Sequence, residues 1–493
     1  MSNSGISRLY KNIVSLKNSF ISTLQKISLP PKSDLERTRA ISKNFFLHIH
    51  STRIHKYTLH PAFTMGLGLI AFSLFIILLF TGILLMFYYT PSVEQAYFSV
   101  KDITFLVAGG KIIRNMHRWA GHAMIVVVIL HIARVFYTSA YTRTRRINWL
   151  IGLALLIITI LFSFSGYLLP WDQLGYWATT IASNIAASLD ELTDALGMTS
   201  YFNVGLFIKH IILGANSVGQ DALNRFYLLH VVVLPILSII FIGVHFWRIR
   251  KSGGLNLPAN ADQLVVHTSN MSNQKTEIQK QGHSRKKQNI ETILSWPTLL
   301  WAELSVFMIC LAILMIFSYF LDAPLREIAN PAVAENPAKS PWYFLGLQEL
   351  VSYSAFSGGI AIPSLLLIAL ILIPFLDKEE KYSGVWFSGK QGQKVAFQSL
   401  IFVLLTTVTA VLFTVKAGWL KNWFPEIPQL IIIVINPGTI LAFFYAFWSI
   451  IVLKKTDSTR MAAIALFTCI FVGFLIFTAV GNWFRGINWE FIY

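Results

Sequence analysis

Apolar residues in this chain neither alternate nor favour one face. They come in nine nearly unbroken runs, at about 63–89, 116–139, 148–170, 228–247, 298–320, 360–376, 395–416, 429–453 and 461–481. A helix rising about 1.5 Å per residue needs about 20 apolar residues to cross a hydrocarbon core of about 30 Å. The pattern therefore predicts an all-α polytopic membrane protein. Between the fourth and fifth runs, residues 251–296 are polar and contain Arg285, Lys286 and Lys287 in succession. Such a stretch is expected to be a linker between a four-span half and a five-span half. Residues 171–227 should form an extramembrane loop carrying short surface helices. Near the N-terminus, Ile13, Leu16, Phe20, Leu24 and Ile27 recur at helical spacing. That segment reads either as a surface-lying amphipathic helix or as a partly disordered tail.

Composition agrees: 55% of the 493 residues are hydrophobic. The net charge of +17 could suggest nucleic acid, but its distribution argues otherwise. Most of the 40 Lys and Arg fall in the N-terminal segment and in the loops on its side. The positive-inside rule then puts the N-terminus on the cytoplasmic, n side, and nine spans put the C-terminus on the p side. No nucleic-acid partner is expected. Residues 1–60 lack the apolar stretch and cleavage site of a signal peptide. Cys310 and Cys469 both lie inside apolar runs. There is no C-x-x-C-H motif and no cysteine cluster, so any haem c or iron–sulfur centre should belong to a partner.

Ionisable side chains inside spans are costly and usually functional. Four histidines sit there in two pairs: His117 and His131, 14 apart, and His230 and His245, 15 apart. At about 100° per residue, the first pair falls about 40° short of four turns and the second about 60° beyond. Each pair thus lies on one face of its helix. His122 lies about 140° from His117 and is excluded as a ligand. Two facing helices with matched histidines suit two haems b, each held non-covalently between two imidazoles. The histidines in polar segments, such as His48, His50, His55 and His60, are expected to be solvated.

Glycines repeat the period. Gly68 and Gly82 are 14 apart on the first run, and Gly152 and Gly166 are 14 apart on the third. Small residues pack membrane helices, but the shared step favours clearance for a flat ring. Arg114, Arg118 and Arg134 flank the first two histidines. Guanidinium groups there suit haem propionates, or serve as interfacial anchors.

These residues resemble cytochrome b of the quinol:cytochrome c oxidoreductases. The match rests on Arg114-Asn115-Met116-His117-Arg118-Trp119, on ILHIARVF around His131, on SGYLLPWDQLGYWA at 165–178 and on RFYLLHVVVLP at 225–235. The 15-residue step resembles the photosynthetic branch. The second half is similar to the smaller partner subunit of that branch, here fused, through NPAKSPWYFLGLQEL at 336–350 and IPFLDK at 373–378. FRGINWEF at 484–491 resembles the tail of some bacterial fused cytochromes b. The resemblance implies a basic N-terminal segment (1–60), a dihaem bundle (61–250), a linker (251–296), a quinol-site region (297–380) and additional helices (381–493).

The resemblance further implies that His117 and His230 hold a p-side haem, and His131 and His245 an n-side haem. Quinol would be oxidised at the p side and a quinone reduced at the n side, with proton translocation. Implied partners are a Rieske iron–sulfur protein, a c-type cytochrome subunit, the quinone pool, membrane lipid and a second copy of the complex. The implied site is a bacterial inner or other energy-transducing membrane. A dihaem anchor for a peripheral dehydrogenase or reductase would use the same four ligands. A transporter or structural subunit would leave the matched periods unexplained. Two departures stand out. Where the family has a glutamate in Pro-Glu-Trp-Tyr, this chain has Pro341, followed by Trp342 and Tyr343. Glu349, seven residues beyond Trp342 and so near the same face of a helix, is with Tyr343 the expected replacement base. Gly66 stands where the photosynthetic branch tethers an extra haem through cysteine, so no covalent haem is expected.

Overall fold

In a hydrocarbon layer every backbone amide must bond within the chain, so long apolar runs become helices. The computed structural model describes residues 33–43, 51–262, 291–379 and 381–492. Ile13 to Ile27 and most of the polar linker lie outside these residues. Among those described, nine helices are long and apolar enough to cross a membrane: Leu67–Met86, Gly110–Tyr137, Arg143–Leu168, Gln220–Lys251, Thr298–Phe320, Ser357–Leu376, Lys390–Trp423, Pro437–Thr456 and Thr459–Phe484. They are called the first to ninth spans below. All nine runs read from the sequence are accounted for, and the protein is a multi-pass integral membrane protein.

Polar residues within the spans are satisfied locally. Ser73 Oγ donates to Leu69 O at 2.9 Å, and Thr81 Oγ1 to Ile77 O at 2.7 Å. Such back-bonding lets hydroxyls sit in an apolar layer. The run expected at 429–453 is interrupted. A short helix, Gln429–Val434, ends before Asn436, whose side chain caps the eighth span by accepting from Thr439 N. Pro437 lacks an N–H and fits only the first turn of the new helix.

The loop after the third span carries the helices Gln173–Ala187, Leu189–Ala195 and Val204–Leu213. Asp172 caps the first of these by accepting from Gly175 N at 2.9 Å. Its other carboxylate oxygen accepts from Arg326 N at 3.1 Å, which ties this loop to the one after the fifth span. At the opposite end, the strands Arg53–His55 and Thr292–Leu294 pair antiparallel, Ile54 opposite Ile293. His55 is not simply solvated as expected: its Nε2 lies 2.9 Å from Asp262 Oδ1. That contact holds the Asp262 carboxyl below the usual range.

Helices in lipid associate through packing and hydrogen bonds, since lipid tails are as apolar as the side chains. The two halves are joined this way. Trp149 Nε1 donates to Leu370 O at 2.6 Å, and Tyr137 OH lies 3.0 Å from Thr468 Oγ1. Tyr141 OH donates to Asp377 Oδ2 at 2.9 Å, and Arg460 Nε bonds the same oxygen at 2.9 Å. At the other end Asn115 Nδ2 donates to Ser318 O at 2.9 Å, and Trp119 Nε1 to Leu321 O at 2.8 Å.

Candidate haem and quinone site

The first four spans surround a cavity of about 1330 Å³ that also meets the fifth span. His117, His131, His230 and His245 all line it, as do Gly68, Gly82, Gly152 and Gly166. It runs from Thr58 and His60 at one end to Ala323, Pro324 and Tyr343 at the other.

The 15-residue step on the fourth span has a local cause. Leu229–Val233, which contains His230, forms a π-helical turn. Pro235 follows, with no N–H to continue the regular ladder and a ring that crowds the preceding turn. A π turn takes up one extra residue, so 15 residues there cover the rotation of 14 in a regular helix. His230 and His245 therefore face the same cavity as His117 and His131.

Each glycine meets one imidazole across the bundle. A Cβ at Gly82 would lie 3.2 Å from His117 Cε1, and one at Gly68 would lie 3.2 Å from His131 Cε1. At Gly166 the distance to His230 Cε1 would be 2.5 Å, and at Gly152 to His245 Cε1 it would be 3.7 Å. The flat ring that these glycines accommodate is thus the imidazole of the neighbouring helix. First pairs with second span, third with fourth.

The rings of His117 and His230 lie with centroids 6.2 Å apart and planes inclined at 69°. A metal–imidazole bond of about 2 Å on each side, plus about 1 Å from nitrogen to ring centre, requires about 6 Å. The pair fits one iron between two imidazoles. The tautomers fit as well. Thr81 Oγ1 spends its proton on Ile77 O and accepts from His117 Nδ1 at 2.9 Å. Ser165 Oγ lies 3.0 Å from His230 Nδ1 and 3.3 Å from Phe162 O. With the proton on Nδ1, each Nε2 keeps its lone pair, the arrangement a ligating histidine needs. Sequence reasoning missed these two hydroxyls. The signal was present: Thr81 precedes Gly82, and Ser165 precedes Gly166.

The arginines all line the cavity, but each already has protein partners. Arg114 donates to Ala323 O at 2.9 Å and Pro324 O at 2.8 Å. Arg118 Nε points at His122 Nε2 at 3.0 Å, and its guanidinium lies 4.9 Å over the Tyr167 ring. Arg134 is buried, donates to Phe63 O and lies 4.8 Å over the Phe63 ring.

The helix Trp342–Val351 brings Tyr343 to the cavity wall, hydrogen-bonded to Ser163. Burial raises the Tyr343 phenol above its ordinary range, so at neutral pH it keeps its proton. Trp342 reaches His122 Nδ1 with its indole N–H at 2.9 Å. Glu349 is elsewhere. It is fully buried, not among the cavity-lining residues, and enclosed by donors. Arg485 Nε donates to Oε2 at 2.9 Å, Trp489 Nε1 to Oε2 at 3.0 Å and Tyr353 OH to Oε1 at 3.0 Å. This geometry runs against the expectation that Glu349 takes the quinol proton. A seven-residue helical step keeps the face but moves the residue about 10 Å along the axis.

Residues 56–253 match the family model Cytochrome b/b6/petB. Cytochrome b6 of Euglena gracilis is 41% identical over 187 residues, 38% of this chain and 81% of that protein. Cytochrome b6 of Prochlorococcus marinus strain NATL1A is 40% identical over the same length, covering 80% of that protein. A chain of the solved structure titled "Hyperthermophilic respiratory Complex III" has a similar fold, with a TM-score of 0.55 and 22% identity, covering 85% of this chain and 91% of that one. With its four imidazoles seated on four glycines in a membrane bundle, this chain belongs to the cytochrome b/b6 family.

Proposed function

We propose that the chain is the membrane cytochrome b subunit of a quinol:cytochrome c oxidoreductase, oxidising quinol at the p side and reducing quinone at the n side, with proton translocation. The observation that carries this reading is the 6.2 Å separation of the His117 and His230 rings, each with Nδ1 held by a hydroxyl. His117 and His230 would hold one haem b, His131 and His245 a second. When bound, such a pair supplies one-electron transfer along the bundle. The chain's own residues orient the ligands: Thr81 and Ser165 fix two tautomers, and the glycines let the rings approach the opposite backbone. Arg118 and Arg134 supply positive charge at the two ends of the cavity, as propionates require.

Residues 61–250 form the dihaem domain in this reading, 297–380 the quinol-site region and 381–493 further helices. Tyr343 belongs to the p-side quinol pocket, where it keeps its proton and donates, and Trp342 stands behind the pocket, hydrogen-bonded to His122. A Rieske iron–sulfur protein and a c-type cytochrome complete the complex, which dimerises. The N-terminus lies in the cytoplasm of a bacterium. A redox-titrated spectrum of the purified complex, with its subunits identified, tests this. Two b-type transitions and a co-purifying Rieske protein are expected. A molybdenum or multi-iron–sulfur subunit in its place would overturn the reading in favour of a dihaem anchor.

A further inference from the structure

His122 lies at the p-side end of the cavity, five residues beyond His117 and on a different face of the second span. Both of its ring nitrogens meet donors that cannot accept. Arg118 Nε–H points at Nε2 at 3.0 Å, and Trp342 Nε1–H at Nδ1 at 2.9 Å. A neutral imidazole has one lone pair and one N–H, and an imidazolium has no lone pair. At most one of the two donors can therefore be bonded at a time. The arrangement holds one donor more than the ring can serve, and an oxygen-bearing ligand would supply what is missing. The two sides of the ring also differ. Arg118 lines the cavity, whereas Trp342 does not and is 37% exposed. One nitrogen faces the cavity and the other faces outward.

We propose that His122 is the proton acceptor of the p-side quinol pocket, taking a quinol proton on the nitrogen beside Arg118 and releasing one from the nitrogen beside Trp342. This rests on the quinol-oxidising reading above. In the step, the quinol O–H bond breaks and an imidazole N–H bond forms. Negative charge develops on the quinol oxygen and positive charge on the ring, and no electron moves. The displaced Arg118 N–H then donates to the quinol oxygen anion, a charge-assisted bond. The ring's other proton then leaves from the nitrogen on the Trp342 side, the exposed side, to p-side water. The family's carboxylate is absent at Pro341, and Glu349 is committed to Arg485, Tyr353 and Trp489. Asp172, which also lines the cavity, already accepts from Gly175 N and Arg326 N, whereas the His122 ring meets more donors than it can serve.

The test uses the purified complex with a short-chain benzoquinol and a short-chain naphthoquinol. His122→Gln keeps an acceptor oxygen but cannot carry the proton. It is expected to lower the quinol-oxidation rate on the order of 10²-fold, the low end for a general base, with two haems per chain retained. The charged and titratable groups facing His122 are Arg118 on its own helix and Tyr343 on the neighbouring one. The wild-type rate should fall at low pH through the imidazole's own protonation. The Gln variant should lack that limb. Trp342→Phe, which keeps the imidazole, should lose less and keep the limb. A Gln variant with wild-type rate and an unchanged limb overturns the assignment, as does a Phe variant with both haems and no limb. A wild-type complex that holds both haems but oxidises neither quinol instead overturns the quinol reading itself.

Discussion

Glycine at four positions does one physical job to three different tolerances. A methyl group at Gly166 would sit 2.5 Å from His230 Cε1, closer than real carbon contacts allow. At Gly152 the same methyl would sit 3.7 Å from His245 Cε1, an ordinary van der Waals contact. The two positions carry the same residue at the same period, so sequence alone ranks them equally. We expect Gly166→Ala to displace His230 and lose the p-side haem, and Gly152→Ala to keep both haems. Haem counted per chain by pyridine haemochrome would check this. Equal retention by both variants would show that the imidazole positions are not set by these contacts. The histidines themselves were legible as residues because unpaired ionisable groups are rare in apolar spans. Thr81 and Ser165 were not, because threonine and serine are common in membrane helices and usually bond their own backbone.

The helix Trp342–Val351 shows what an element decides that a motif cannot. Its first turn delivers Trp342 to His122 and Tyr343 to the cavity, and its second buries Glu349 against the C-terminal segment. Helical phase correctly keeps Trp342 and Glu349 near one face. It says nothing of where the next element packs. Arg485, in the tail that follows the ninth span, neutralises Glu349, and its guanidinium lies 3.8 Å from the Phe491 ring centre. Arg485→Met would strand a buried carboxylate, at a cost of about 3–5 kcal/mol. A lowered melting temperature in detergent should follow. Glu349→Gln should reduce stability while quinol turnover continues. Turnover abolished at an unchanged melting temperature would restore Glu349 as the proton acceptor. The fourth span makes the same point. Pro235 marks a disturbance in the sequence, but only the π turn shows that it aligns His230 with His245.

At the scale of the whole molecule, the two halves are bolted together at both ends. Asn115, Trp119 and Arg114 hold the 318–324 segment at one end, and Asp377 with Arg460 and Tyr141 closes the other. These contacts fix the helix Trp342–Val351 against the histidine bundle, which is why Tyr343 can share a cavity with the four histidines. Orientation is a whole-chain property too. In the proposed orientation the basic loops and the N-terminus face the cytoplasm and the Glu349–Arg485 cluster faces the p side. A green fluorescent protein fused to the C-terminus should stay dark after export, and one fused to the N-terminus should fluoresce. The reverse pattern would invert the assigned sides of both quinone sites.

Number of spans, membrane residence and the identity of the four inward histidines were determined by sequence alone. Hydrocarbon length and the cost of burying an imidazole act on each segment separately, so a local pattern suffices. Matching periods mark the glycines as clearance for a flat ring, but only the packing shows that this ring is an imidazole of the neighbouring helix. The tertiary structure decided what depends on contacts between distant segments. It set Glu349 against Arg485 across 136 residues, brought Trp342 to His122 across 220, and aimed two donors at one imidazole. Charge compensation and hydrogen-bond satisfaction belong to the packed neighbourhood, and no periodicity along the chain encodes which partner arrives there.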